Sequence, residues 1–305
     1  MTSHGHSHTH LPVDHSSRAM GFVLLITVAV VATQWVGVLL TGSLALAADA
    51  GHQLTDAIGI TIALIAARIA SRSPSSTRTF GYLRAEVLSA VVHASLIVVM
   101  CVFLIREAWT RWNSPTHVTG PGVIAFALVG LVANLSCLLI LRSVSRTNLN
   151  VRTAFLDVAS DALTSAVVLF SGALTALTGI HRLDIIATAI VVAAIVARTW
   201  GVIAEAIHIL MEGAPAHINP TDVRTTILSL PGIVAVHDLH VWAINPDSPM
   251  ISAHVVIEQG LHDSGGSGRI LDELESLLSS TFDVQHTTLQ IEHPGHVMHE
   301  HPHHD

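Results

Sequence analysis

Two pairs of metal-capable side chains sit one helical turn apart in otherwise apolar segments: His52 with Asp56, and Asp157 with Asp161. Residues at i and i+4 share a helix face, and Asp49, three positions before His52, shares the face of the first pair. An ionisable group inside a membrane span is costly and usually faces a polar cavity or a partner. Brought together, His52, Asp56, Asp157 and Asp161 would offer one imidazole nitrogen and three carboxylates, a sensible tetrahedral shell for a divalent cation, with Asp49 nearby on an access or exit route. The competing reading makes these residues polar bridges between helices, satisfied by Ser, Thr or Asn neighbours. Two matched pairs with no Lys or Arg between them weigh against it. Three carboxylates without a fixed counter-ion cannot all stay ionised in low-dielectric surroundings, so a bound cation or bound protons must neutralise them. Only deprotonated groups ligate, so metal and protons compete for one site. Such a site, facing each side of a membrane in turn, would exchange one for the other.

The segments that must position these residues are membrane spans. Half of the 305 residues are apolar and only 12% are charged, against about a quarter in soluble domains; mean hydropathy is +0.59. Six apolar stretches, near 20–40, 44–70, 85–109, 121–141, 154–178 and 183–209, are long enough to cross about 30 Å of hydrocarbon at roughly 1.5 Å per residue. Arg68, Arg72, Arg78 and Arg84 flank the second loop, and Arg142, Arg146 and Arg152 the fourth, while the other side has only Arg106, Arg111 and Arg182. Positive charge gathers on the cytoplasmic side, so both termini are expected there, in a multi-pass protein of the inner or plasma membrane. Cys101 and Cys137 lie in apolar segments and read as packing residues.

After Glu212 the composition becomes that of a small soluble domain. A helix is expected from Pro220 with Asn219 as its cap, then alternating strands near 234–244 and 250–258, an amphipathic helix near 269–278 and a third strand near 287–292. The order αββαβ points to an α+β sandwich with helices on one sheet face. The expected domains are a His-rich tail (1–18), a six-helix transmembrane bundle (19–211), the α+β domain (212–293) and a second His-rich tail (294–305). The two tails, with His4, His6, His8 and His10 at one end and His296 to His304 at the other, read as metal-gathering tracts.

Several motifs together resemble the cation diffusion facilitator family, in its bacterial zinc-, cobalt- and cadmium-exporting branch. They are Ala48-Asp49-Ala50-Gly51-His52-Gln53-Leu54-Thr55-Asp56, Phe80-Gly81-Tyr82-Leu83-Arg84-Ala85-Glu86, Asn150-Val151-Arg152, Leu210-Met211-Glu212-Gly213-Ala214-Pro215 and Val236-His237-Asp238-Leu239-His240-Val241-Trp242. The similarity runs from about Arg18 to His293. It implies a homodimer of six-span protomers in lipid, a metallochaperone-like cytoplasmic domain, proton-coupled export, and a transport site at His52, Asp56, Asp157 and Asp161. Two departures stand out. Asp157 occupies a position where zinc-exporting relatives usually have His, which makes the site harder and admits Co2+, Mn2+ or Fe2+ beside Zn2+ and Cd2+. The loop Ser73 to Phe80 lacks the His and Asp with which some relatives bind a further ion, so no site is expected there. The resemblance also implies a salt bridge between Arg84 and Glu212, with two solvated charges as the alternative. It further implies a regulatory metal site in the soluble domain, drawn from His237 or His240 with His254 and Glu292; His286 and His293 lie beside them.

Strand alternation puts His240 and Trp242 on one face and Val241 on the other. His93, His181 and His208 are single residues at span interiors or ends and read as packing or interfacial. Gln34 and Asn134 could bond between helices near the site. Zn2+ is the leading expected substrate, with protons as counter-ion and no nucleic-acid partner. The rivals are a transporter used mainly for cobalt, manganese or ferrous iron, and a metal-responsive sensor that does not transport. An enzyme is not expected: no His-Glu-x-x-His occurs and no Glu sits beside the ligand pairs.

Overall fold

The structure, a computed structural model, describes residues 14–114, 116–142, 149–284 and 286–296. Of the two His-rich tails, only residues 14–18 and 294–296 fall within these. Six helices come first: α1 (Asp14–Thr41), α2 (Leu44–Ala70), α3 (Arg84–Asn113), α4 (Gly120–Arg142), α5 (Leu149–Thr178) and α6 (Arg182–Leu210). Five are long and apolar enough to span a membrane, and α1 adds the apolar stretch Leu25–Thr41. The chain is therefore a multi-pass, six-span protein. Its apolar runs fixed these helices within a few residues, except that α1 and α5 begin five or six residues early. Those extra turns carry charged and polar residues, among them Asp14, Arg18, Asn150 and Arg152, and hydropathy registers the hydrocarbon-facing part of a helix rather than its full length.

The chain divides into two compact units, Met1–Thr61 with His93–Trp200, and Ile62–Val92 with Gly201–Asp305. In the first, α4 packs along α1 and α5. Leu44, Leu46, Ile97, Leu104, Val123, Val168, Val191 and Ile195 form its buried apolar centre. Small residues allow close approach, as is usual where helices pack in lipid. A Cβ on Gly130 would lie 2.5 Å from Gln34 Nε2, so any larger residue there would displace the end of the Gln34 side chain. The start of α2 is held by Asp184 of α6, which is buried and accepts from Leu44 N at 2.6 Å and from the Ser43 hydroxyl. A carboxylate there satisfies orphan N–H groups and suits the positive end of the helix dipole.

In the second unit the soluble elements are α7 (Pro220–Leu228), β1 (Ile233–Ala243), β2 (Pro249–Ile257), α8 (Gln259–Asp263), α9 (Ser267–Phe282) and β3 (His286–Glu292). Asn219 caps α7, its side-chain oxygen accepting from Thr221 N at 2.9 Å, with Pro220 in the first turn. The sheet runs β1-β2-β3, antiparallel between β1 and β2 and parallel between β2 and β3. Ile251, Ala253, Val255 and Ile257 alternate along β2 and bury against Val223 and Ile227 of α7 and Ile270, Leu274 and Leu278 of α9. The opposite face carries His254 and Ser252. The short α8 is an addition to the expected αββαβ order; at five residues it lies below the length at which periodicity is readable.

Candidate metal sites

Because α2 is an unbroken helix through 44–70, His52 and Asp56 stack one turn apart, with His52 Nε2 3.5 Å from Asp56 Oδ2. From α5, Asp161 Oδ1 comes within 3.8 Å of the same nitrogen. Each of the three residues offers one donor atom, and these atoms lie within 4.8 Å of one another. His52 is 4% exposed, and neither its Nδ1 nor Asp161 Oδ1 has a hydrogen-bond partner among the described residues. Buried polar groups are nearly always paired, so the unpaired Asp161 Oδ1, facing His52 Nε2 beside Asp56, suits a ligand. One nitrogen and two carboxylate oxygens match the donor preference of a divalent transition metal.

Asp157 does not join this group. Its Oδ1 lies 2.6 Å from Arg198 Nη2 of α6. The expectation of carboxylates without a fixed counter-ion is corrected here: α6 packs a guanidinium beside α5, and Asp157, one turn before Asp161, is the carboxylate it takes.

Asp49 is also placed differently from its expected access position. It is fully buried and accepts from Gln34 Nε2 (2.8 Å), Ser165 Oγ (2.9 Å), Thr164 Oγ1 (3.0 Å) and Gln53 Nε2 (3.3 Å). Asn134 in turn donates to Ser165 Oγ at 3.4 Å. A carboxylate, acceptor on both oxygens, is the group that can satisfy so many donors at once. Asp49 is a strut between α1, α2 and α5.

His93 of α3, read from the sequence as a packing residue, has its Nε2 3.5 Å from Asp56 Oδ1. No spacing rule joins residues 37 positions apart on different helices, so the sequence held no signal for it. His181 Nδ1 accepts from Val118 N, and His208 Nε2 bonds to Ala214 O, both local structural roles.

The second unit holds another cluster. Glu292, 3% exposed, reaches His254 Nδ1 at 2.8 Å with Oε1 and His237 Nε2 at 3.2 Å with Oε2. His237 pairs with His254 across β1 and β2, and their rings are 5.0 Å apart. Between His237 and His240 the register shifts, with Asp238 at φ +46°. This bulge puts His237 and His240 on one face, where strict alternation would separate them. Of the expected alternatives, His237 meets Glu292. His240 lies opposite Ser252, His286 against Phe80, and His293 between His262 and His296. Arg84 Nη2 is 3.1 Å from Glu212 Oε1; with both side chains substantially exposed, the pair contributes at most about 1 kcal/mol.

A polytopic helical bundle with a buried imidazole–carboxylate cluster, followed by an α+β domain bearing a second, defines a membrane protein built to handle a divalent cation. The chain belongs to the cation efflux family: the model of the cation efflux transmembrane domain matches residues 21–211 and that of the cation efflux protein cytoplasmic domain residues 215–294. The metal cation efflux system protein CzcD of Cupriavidus metallidurans is 34% identical over 288 residues, covering 94% of this chain and 90% of CzcD. The cadmium, cobalt and zinc/H(+)-K(+) antiporter of Bacillus subtilis is 35% identical over 289 residues, 93% of this chain and 92% of the relative. The zinc transporter ZitB of Escherichia coli is 34% identical over 296 residues, 95% and 93% of the two chains. The family is one of transporters rather than enzymes.

Proposed function

We propose that this protein exports a divalent transition metal, zinc foremost, from the cytoplasm in exchange for protons, as a homodimer in the inner or plasma membrane with both termini cytoplasmic. The observation that carries the reading is the convergence of His52, Asp56 and Asp161 from two spans on one buried point. Two carboxylates offset the charge of one divalent ion, and the Asp157–Arg198 pair is neutral by itself. Two protons leaving as one ion binds would therefore hold the charge of the site constant, which keeps the cost of crossing low-dielectric surroundings down. The activities for which the relatives are named, zinc transport and an antiport of cadmium, cobalt and zinc with H(+) and K(+), support the substrate class and the coupling. Arg72, Arg78, Arg84 and Arg142 on one side of the spans support the orientation. The cytoplasmic-domain match supports dimerisation. His237, His254 and Glu292 form the regulatory metal site of this reading.

The test is uptake into proteoliposomes holding a metal-sensitive dye, comparing zinc, cobalt, manganese and ferrous iron with and without a pH gradient. Gradient-dependent zinc uptake that vanishes in Asp161→Ala is the expected result. Binding without uptake of any metal would refute transport and leave a sensor that works through the His237–His254–Glu292 cluster.

A further inference from the structure

The transport site proposed above has three protein donors, whereas a divalent transition metal in a tetrahedral field takes four. Three more metal-capable side chains surround it. Asp49 is engaged by four hydrogen-bond donors. Asp157 is engaged by Arg198. His93 is not so engaged: its Nε2 is buried and has no hydrogen-bond partner among the described residues. It faces Asp56 Oδ1 at 3.5 Å, while Asp56 Oδ2 is the oxygen that faces His52. Metal–ligand bonds of about 2.1 Å place tetrahedral donors about 3.4 Å apart, close to the 3.5 Å at which His93 Nε2 and His52 Nε2 each already lie from one oxygen of Asp56. The approach is built into α2. Gly59, three residues past Asp56, lies where any Cβ would run into the His93 ring.

We propose that His93 is the fourth ligand of the transported ion, closing a shell of two imidazoles and two carboxylates with His52, Asp56 and Asp161; this rests on the transport site proposed above. His93 meets the cluster through Asp56 alone, so the shell closes by movement of the α3 imidazole toward His52 and Asp161 as the ion arrives. The consequence is selectivity. A second imidazole favours zinc, cobalt and cadmium over manganese, offsetting the hardness of a carboxylate-rich site.

The experiment measures initial uptake rates of zinc and manganese by the full-length protein in proteoliposomes, for wild type, His93→Gln, His93→Asn and Asp161→Asn. A companion measurement records the visible absorption of bound Co2+ in detergent, taken as the difference from Asp161→Asn so that only the membrane site contributes. Loss of the imidazole is expected to raise the zinc KM about tenfold or more, to change the manganese KM far less, and to alter the Co2+ difference bands. A zinc KM and Co2+ bands equal to wild type in both His93 variants would overturn the proposal. An equal loss for both metals would also overturn it, because it would mark a packing role against Gly59. Wild-type uptake in Asp161→Asn would instead refute the transport site itself.

Discussion

Replacing Asp49 separates a structural carboxylate from a transporting one more sharply than any other change in the bundle. Its side chain is fully buried, and three of its four hydrogen bonds cross between helices, from Gln34 of α1 and from Thr164 and Ser165 of α5. Interhelical hydrogen bonds in a membrane are worth about 0.6 kcal/mol on average and up to about 1.7, so their joint loss in Asp49→Ala amounts to about 2–5 kcal/mol. For a bundle of this size that lowers the unfolding midpoint by on the order of 10 °C. Asp49→Asn keeps the shape and one carbonyl acceptor but turns an NH2 toward two donors, so its loss falls between wild type and Asp49→Ala. The assay is tryptophan fluorescence of the purified protein on heating in detergent, followed by zinc uptake in proteoliposomes at a temperature where each variant is folded. The strut reading expects a lowered midpoint with the zinc KM of Asp49→Asn unchanged, because His52, Asp56 and Asp161 are untouched. A wild-type midpoint together with abolished uptake would refute it and return Asp49 to the ion's route.

The pairing of Asp157 with Arg198 makes a double-mutant cycle informative. Asp157→Asn strands the guanidinium near the cation site and should raise the zinc KM, and adding Arg198→Gln should restore it. A double variant as impaired as the single would instead make Asp157 a ligand. In the soluble domain Glu292 bridges both imidazoles, so Glu292→Ala should lower the zinc bound per chain by one ion, counted by elemental analysis, while uptake persists. Retention of the ion in Glu292→Ala would remove the cluster from consideration.

What the sequence discloses about this molecule follows from the range of each physical signal. A span is set by hydrocarbon thickness and is written in some twenty consecutive residues, so α2 and α6 were legible almost to their ends. The His52–Asp56 and Asp157–Asp161 pairs were legible because i,i+4 spacing is local. Which partner each pair meets is tertiary. Arg198 lies 41 residues beyond Asp157 on another helix, and nothing in the spacing of α5 says whether Asp157 turns toward the ion or toward α6. His93 is hidden for the same reason, since a lone histidine in an apolar helix looks alike whether it packs or ligates. The bulge at Asp238 shows the limit within a single strand. One inserted residue moves His237 to the face of His240, and strict alternation cannot register it. The donor atoms of this site were thus visible as types and pairs. Their division into ligands, counter-charge and strut depends on α1, α3 and α6, whose own sequences are dominated by the lipid they face, and the variants of Asp49, Asp157 and His93 test that division one helix contact at a time.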